Sequence, residues 1–126
     1  MPTFSQGDVV KVPFPYTNRP TRQSRPALVL AAGCVGAAYR SVPGLIWVLM
    51  ITSADHRGWP GDVALSNLSG TGLPAPSVIR TAKIATIEAR DATLLGRVSE
   101  TVHAHLLVRV RAHLGLQRSE DNLSNS

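Results

Sequence analysis

The chain holds a single cysteine, Cys34, among 126 residues, so no disulfide can form within it and a cysteine-built zinc site is excluded. That usage fits a reducing, cytoplasmic setting. Acidic residues are few as well: eight Asp and Glu stand against thirteen Lys and Arg, a formal charge of +5. The sequence pI is near 10.4. Such an excess on a small surface attracts polyanions, with nucleic acid the usual one and an anionic membrane or an acidic protein the competitors. The longest apolar run, around residues 45–51, is far too short to span a bilayer. The opening Met1-Pro2-Thr3-Phe4-Ser5-Gln6 has neither the basic start nor the apolar stretch expected of a secretory signal.

Several chemistries are missing too. No Gly-x-Gly-x-x-Gly, phosphate-loop or Gly-x-Ser-x-Gly pattern occurs, and the strand–helix alternation of a dinucleotide-binding fold is absent. His103 and His105 are two apart, which on a helix puts them on different faces and makes a poor metal pair. Asp8, Asp55, Asp62, Glu88 and Asp91 are scattered, with no pairing of the acid–base kind, and read as turn and surface carboxylates.

With 44% hydrophobic and 17% charged residues, the chain has enough apolar material for one modest core and is not expected to be disordered. One domain over residues 1–116 is expected, then a polar, disordered tail at 117–126. Residues 8–14 alternate as a half-buried strand, and Pro13 and Pro15 should end it or leave it at an edge. Residues 26–32 and 45–51 are near-continuous apolar runs, the pattern of strands covered on both faces. A further strand is expected at 63–66 and another strand or a pair at 77–81 and 83–87, separated by turn formers such as Gly58-Trp59-Pro60-Gly61-Asp62. About five short strands suggest a mainly β, compact antiparallel barrel. The last third changes period: Val102, Leu106, Val110 and Leu114, with Leu107 beside them, draw an apolar stripe on a helix. Ser99 can cap that helix, Glu100 suits its positive end, Arg109, Arg111 and His113 its negative end, and Gly115 can close it.

What remains for chemistry is Arg25, just before one apolar run, and Thr52 with Ser53 at the end of the next. A guanidinium offers a fixed fork of donors to a phosphate and can stabilise charge that grows in a transition state. A hydroxyl can bond a phosphate oxygen or orient an attacking group. RNA carries its own nucleophile in the 2′-hydroxyl, so an enzyme that uses it needs little beyond alignment and electrostatics. Taken alone, these residues favour the plainer account of a strand-edge cation and turn formers.

The ordered set Gly7-Asp8-Val9-Val10, Arg25-Pro26-Ala27-Leu28-Val29-Leu30, Ile51-Thr52-Ser53, Gly58-Trp59-Pro60, Asp62-Val63-Ala64-Leu65-Ser66 and Ser77-Val78-Ile79-Arg80 resembles the MazF/PemK family of toxin endoribonucleases. The resemblance runs from about residue 6 to the C-terminal helix. It implies a small SH3-like antiparallel β-barrel with a C-terminal helix and short additional helices, a homodimer, and cleavage of single-stranded RNA without metal or other cofactor. It also implies neutralisation by a cognate antitoxin. Arg25 and Thr52 would be the catalytic pair, with Ser53 assisting, through 2′-hydroxyl attack that leaves a 2′,3′-cyclic phosphate and a 5′-hydroxyl. One departure stands out. Many members carry Gly-Ser-Glu-Gln before the Arg-Pro motif, whereas Thr17-Asn18-Arg19-Pro20-Thr21-Arg22-Gln23-Ser24 lacks the glutamate and adds Arg19 and Arg22. A more basic loop should hold an RNA backbone more strongly and steepen the salt dependence of binding. A non-catalytic barrel that binds nucleic acid or antitoxin is the alternative, and a third is a toxin acting on a topoisomerase through a related barrel.

Around this site, His56, Arg57 and Trp59 follow Thr52-Ser53 closely in sequence and are candidate RNA contacts. Trp59 could stack a base, although an indole buried against the barrel or a dimer partner is the favoured account. Trp47, inside an apolar strand, is expected in the core. Arg80 and Lys83 should flank a turn and extend the basic surface, chiefly as solvated charge.

Overall fold

The computed structural model describes residues 4–14, 23–32, 44–55 and 58–115. Six strands form one antiparallel sheet: β1 (Asp8–Phe14), β2 (Gln23–Ala31), β3 (Leu45–Ser53), β4 (Val63–Leu65), β5 (Ser77–Glu88) and β6 (Thr93–Arg97), in the spatial order β4-β5-β3-β2-β1-β6. A single turn of 3-10 helix (Ala89–Asp91) joins β5 to β6, and helix α1 (Glu100–Leu114) ends the described chain. The tail at 117–126 lies outside the described residues.

β1 keeps its expected bounds. Its pairing with β6 reaches only to Lys11, so one edge of β1 is open around Pro13, where a missing N–H costs no ladder bond. Residues 77–87 were expected as one strand or a pair, with Arg80 and Lys83 flanking a turn; they form one strand, β5, with no such turn. The charged break at Arg80 and Lys83 is a bulge instead, because the register jumps from Leu49 opposite Ile84 to Met50 opposite Arg80. β6, Thr-Leu-Leu-Gly-Arg, gives no clean alternation and was not anticipated.

The period-2 geometry splits the sheet into two apolar faces. Val10, Val12, Ala27, Val29, Ile46, Val48 and Met50 form one cluster. Val9, Leu28, Leu49, Ile51 and Ile79 face the other way, where Leu106 and Val110 of α1 pack on them. Both apolar runs therefore supply residues to both faces, as their composition suggested. Trp47 corrects the expectation of a core residue: it is 44% exposed. Its strand position sends it to the helix-covered face, but α1 packs mainly on β5 and β4 and leaves that end of β3 open. The helix stripe is narrower than its sequence suggested, since Leu114 and Val108 are exposed while Leu106 and Val110 are buried. Its ends are as expected. Ser99 Oγ accepts from the Val102 N–H, a cap worth about 1 kcal/mol, and Gly115 closes the last turn in the left-handed conformation.

The segment between β4 and β5, residues 66–76, curls the sheet toward a barrel. It leaves one edge strand, β4, and reaches the other, β6, where the Arg97 N–H donates to the Gly70 carbonyl at 2.7 Å. Thr71, 1% exposed, ties the strap internally: its hydroxyl donates to the Leu68 carbonyl at 2.8 Å and accepts from the Leu73 N–H at 3.2 Å. Gly72, at φ +76°, lies so close to β6 that a Cβ there would overlap the Leu95 carbonyl. Only glycine satisfies both the backbone angle and the approach.

Candidate active site

Arg25 and Thr52 sit within strands, not beside them. β2 begins at Gln23 and β3 runs through Ser53, so both residues are held by ladders. The β2–β3 pairing ends with Ala27 opposite Met50, and the same antiparallel register continued by two residues directs Arg25 toward Thr52. Alternation places both on the face of Ala27 and Met50. Thr52 is 5% exposed and Arg25 half-buried, so the hydroxyl is fixed while the guanidinium keeps access to solvent.

The two residues line one cavity of about 180 Å³ at the rim of the sheet. Its other walls are Pro26, Ile51, Ser53, the strap residues Leu73, Pro74, Ala75 and Pro76, and Ser77 at the start of β5. The Ala54 N–H donates to the Pro76 carbonyl at 3.1 Å, which fastens the strap to the end of β3. A rigid, largely apolar wall faces a cation and a hydroxyl. That arrangement can admit a phosphodiester with a base lying against prolines, at a rim where the guanidinium stays open to solvent. Ser53 lines the cavity, although its hydroxyl also accepts from the Asp55 N–H at 3.2 Å and so shapes the turn that follows. Ser77, missed in the sequence, is buried opposite Ser53 and donates to the Ala75 carbonyl at 2.9 Å. Its place at a strand start beside Ala-Pro gave no signal.

The second cluster of candidates is arranged differently from the expectation. Residues 59–62 form a turn in which Pro60 and Gly61, the latter at φ +86°, occupy the central positions of a type II geometry. The Asp62 N–H donates to the Trp59 carbonyl at 3.2 Å, and the Trp59 N–H donates to Asp62 Oδ2 at 2.9 Å. Arg80, expected as solvated charge, is 7% exposed. Its Nε lies 3.9 Å from Asp62 Oδ2, and its guanidinium carbon sits 4.3 Å from the Trp59 ring centroid. Asp62, expected as a surface carboxylate, is thus mostly buried against Arg80, its side chain 11% exposed. Of the two burials expected for Trp59, against the barrel or against a dimer partner, the first does not occur within the chain: the residue is 44% exposed and stacked over Arg80. Sequence spacing could not bring Arg80 to Trp59, because β5 returns beside β4 only through the ladder.

Behind the turn, the Thr81 hydroxyl donates to the Gly61 carbonyl at 2.8 Å and accepts from His113 Nε2, also at 2.8 Å, which links α1 to the turn. Lys83 is half-buried in the bulged stretch of β5 and does not flank a turn. Arg19, Arg22, His56 and Arg57 lie outside the described residues. Among the described residues, no group of three or more His, Cys, Asp or Glu side chains converges. No helix among them is long and apolar enough to cross a membrane.

The sequence profile described as PemK-like, MazF-like toxin of type II toxin-antitoxin system matches residues 5–117. The chain belongs to the PemK/MazF toxin family. Solved structures of similar fold include the Mycobacterium tuberculosis toxin MazF-mt6, 21% identical over 87% of this chain and 98% of that one, with a TM-score of 0.65. The MazE–MazF complex from Deinococcus radiodurans (Form-III) is 23% identical over 89% and 96%, at 0.66. An endoribonuclease in complex with its cognate antitoxin, from a mycobacterial species, is 18% identical over 90% and 97%, at 0.66. No curated protein sequence matches the chain. The curled antiparallel sheet with its C-terminal helix is thus the MazF fold, and the protein is a toxin of a type II toxin–antitoxin system.

Proposed function

We propose that this MazF-family toxin is a metal-independent, sequence-selective endoribonuclease that cuts single-stranded RNA at the Arg25–Thr52 cavity. The observation that carries the reading is the convergence of those two residues on one cavity of about 180 Å³. In the proposed step the RNA 2′-oxygen attacks the adjacent phosphorus, the bond to the 5′-oxygen breaks, and that oxygen takes up a proton. The products are a 2′,3′-cyclic phosphate and a 5′-hydroxyl. Arg25 stabilises the charge that builds on the phosphoryl oxygens. Thr52, immobilised in β3, orients the phosphate or the nucleophile, and Ser53 assists from the same rim. The nucleophile belongs to the substrate, so the step needs no metal-bound hydroxide.

The net charge of +5 supports an RNA partner. Arg19, Arg22, His56, Arg57, Trp59, Arg80 and Lys83 are assigned to RNA binding, the buried Arg80 through the indole it carries. The protein acts in the cytoplasm as a homodimer. A cognate antitoxin silences it by laying an acidic segment over Arg25, as its charge complementarity invites.

The test is cleavage of end-labelled single-stranded RNA in excess EDTA, beside Arg25→Ala and Thr52→Ala. Loss of about 10²–10³-fold in rate for Arg25→Ala is expected, the scale of removing one transition-state donor. A cyclic phosphate should terminate the wild-type products. RNA that stays intact while the folded protein binds it would make the chain a binding protein and end the catalytic reading.

A further inference from the structure

We propose that Trp59 is a preorganised platform on which a base of the single-stranded RNA stacks beside the cleaved bond. This rests on the ribonuclease reading and adds to it the place where a flanking nucleotide is held.

An exposed tryptophan usually surrenders rotamer freedom when it binds, which weakens the contact. Trp59 has little left to lose. Its backbone N–H and carbonyl are both engaged by Asp62 across the type II turn. One side of its ring is covered by the Arg80 guanidinium at 4.3 Å, and Arg80 is itself buried between strands. The Gly61 carbonyl is tied to Thr81, and through it to His113 of α1. The residue nevertheless remains 44% exposed. A cation beneath an indole also draws on the ring's electron density, and the opposite face then suits a polarisable, flat partner such as a nucleobase.

The location fits the site. Val78 lies opposite Thr52, and Arg80 opposite Met50, so Thr52 and Arg80 are diagonal neighbours on one face of the sheet. Such positions are about 7–8 Å apart. The residue that carries the indole is therefore one diagonal step from the hydroxyl at the cavity. A nucleotide whose phosphate meets Arg25 and Thr52 has a neighbouring base within reach of Trp59. Every base offers a π face, so the platform supplies affinity and register with little choice among bases. A paired base would have no free face to offer, which ties the platform to single strands.

The chain's two tryptophans make a direct test possible. In Trp47→Phe, Trp59 is the sole indole, and its emission is followed as the full-length protein is titrated with a mixed-sequence 2′-O-methyl RNA, which lacks the attacking hydroxyl. Binding is measured independently by anisotropy of labelled RNA over a range of salt. Quenching of Trp59 on binding is expected. Trp59→Ala should lose roughly tenfold or more in affinity, the scale of one base–aromatic stack, while Trp59→Phe keeps most of it. The salt slope of Trp59→Ala should equal that of the parent, since no phosphate contact is removed. RNA that binds with unchanged Trp59 emission, and equally well to Trp59→Ala, would overturn the platform and leave the ribonuclease reading standing. No RNA binding by the parent at any salt would overturn both. Loss by Trp59→Ala of an acidic peptide, with RNA held as before, would make this surface a protein contact and overturn the platform.

Discussion

Residues 58–62 and residues 66–76 lead into and out of the same three-residue strand, yet they are fixed by different means. The first connection is held by side chains: Asp62, Arg80 and Thr81 reach it from the turn itself and from β5, and His113 backs them from the helix. The second is anchored to β6 backbone to backbone, through Gly70 on Arg97 and the close approach of Gly72 to Leu95, with the Thr71 hydroxyl as an internal side-chain tie. Both border the proposed RNA site, one as a cavity wall and the other as the seat of Trp59. A backbone clamp tolerates almost no substitution and keeps a wall in place. A side-chain clamp can be retuned one residue at a time, which suits a surface that must meet a particular ligand.

The sharpest way to break this contrast is at Gly72. Gly72→Ala should cost roughly 2–5 kcal/mol, combining the left-handed penalty with overpacking against Leu95, read as a fall in the urea midpoint. A cost below 1 kcal/mol would mean that the strap yields easily and is no fixed wall. Next comes Thr71→Val, which strips the hydroxyl that bonds Leu68 and Leu73. About 1–3 kcal/mol should be lost, because the buried Leu73 N–H loses its acceptor, while the Leu68 carbonyl still accepts from the Thr71 N–H at 3.1 Å. RNA cleavage should fall with it if the wall positions substrate. The smallest effect on stability, about 1 kcal/mol, is expected from Thr81→Val, which cuts the link from Gly61 to His113. Its signature should be local: in the Trp47→Phe background the Trp59 anisotropy should drop while the global midpoint barely moves. An unchanged anisotropy would mean that Asp62 and Arg80 alone hold the turn.

The sequence made these two regions unequally legible. Strands with clean apolar patterns, such as Asp8–Phe14, and a helix with a serine cap and a glycine stop could be located nearly to the residue, because local chemistry decides them. The proposed catalytic pair was nameable from the family resemblance, and the antiparallel pairing of β2 with β3 explains why residues so far apart in sequence line one cavity. β6 was invisible because Thr93–Arg97 is stabilised by β1 and the strap and has no alternation of its own. β5 could be read as one strand or a pair because a bulge tolerates Arg80 and Lys83 in the middle of an apolar run. Trp47 as a core residue, and Trp59 as one buried against its own barrel, both rested on the premise that a large aromatic seeks the core. The helix stops short of one, and a buried arginine supports the other. Such outcomes depend on which elements become neighbours, and only the assembled sheet decides that.

The tie between Gly70 and Arg97 also sets an order of events during synthesis. The strap cannot take its final position until β6 exists, and β6 needs β1, with Asp8 meeting Arg97 across 89 residues of sequence. Contacts of such range form slowly, after local ones. A growing chain therefore carries Arg25 and Thr52 long before it carries the wall that completes their cavity. The wall is fixed by residues made well after the pair it serves.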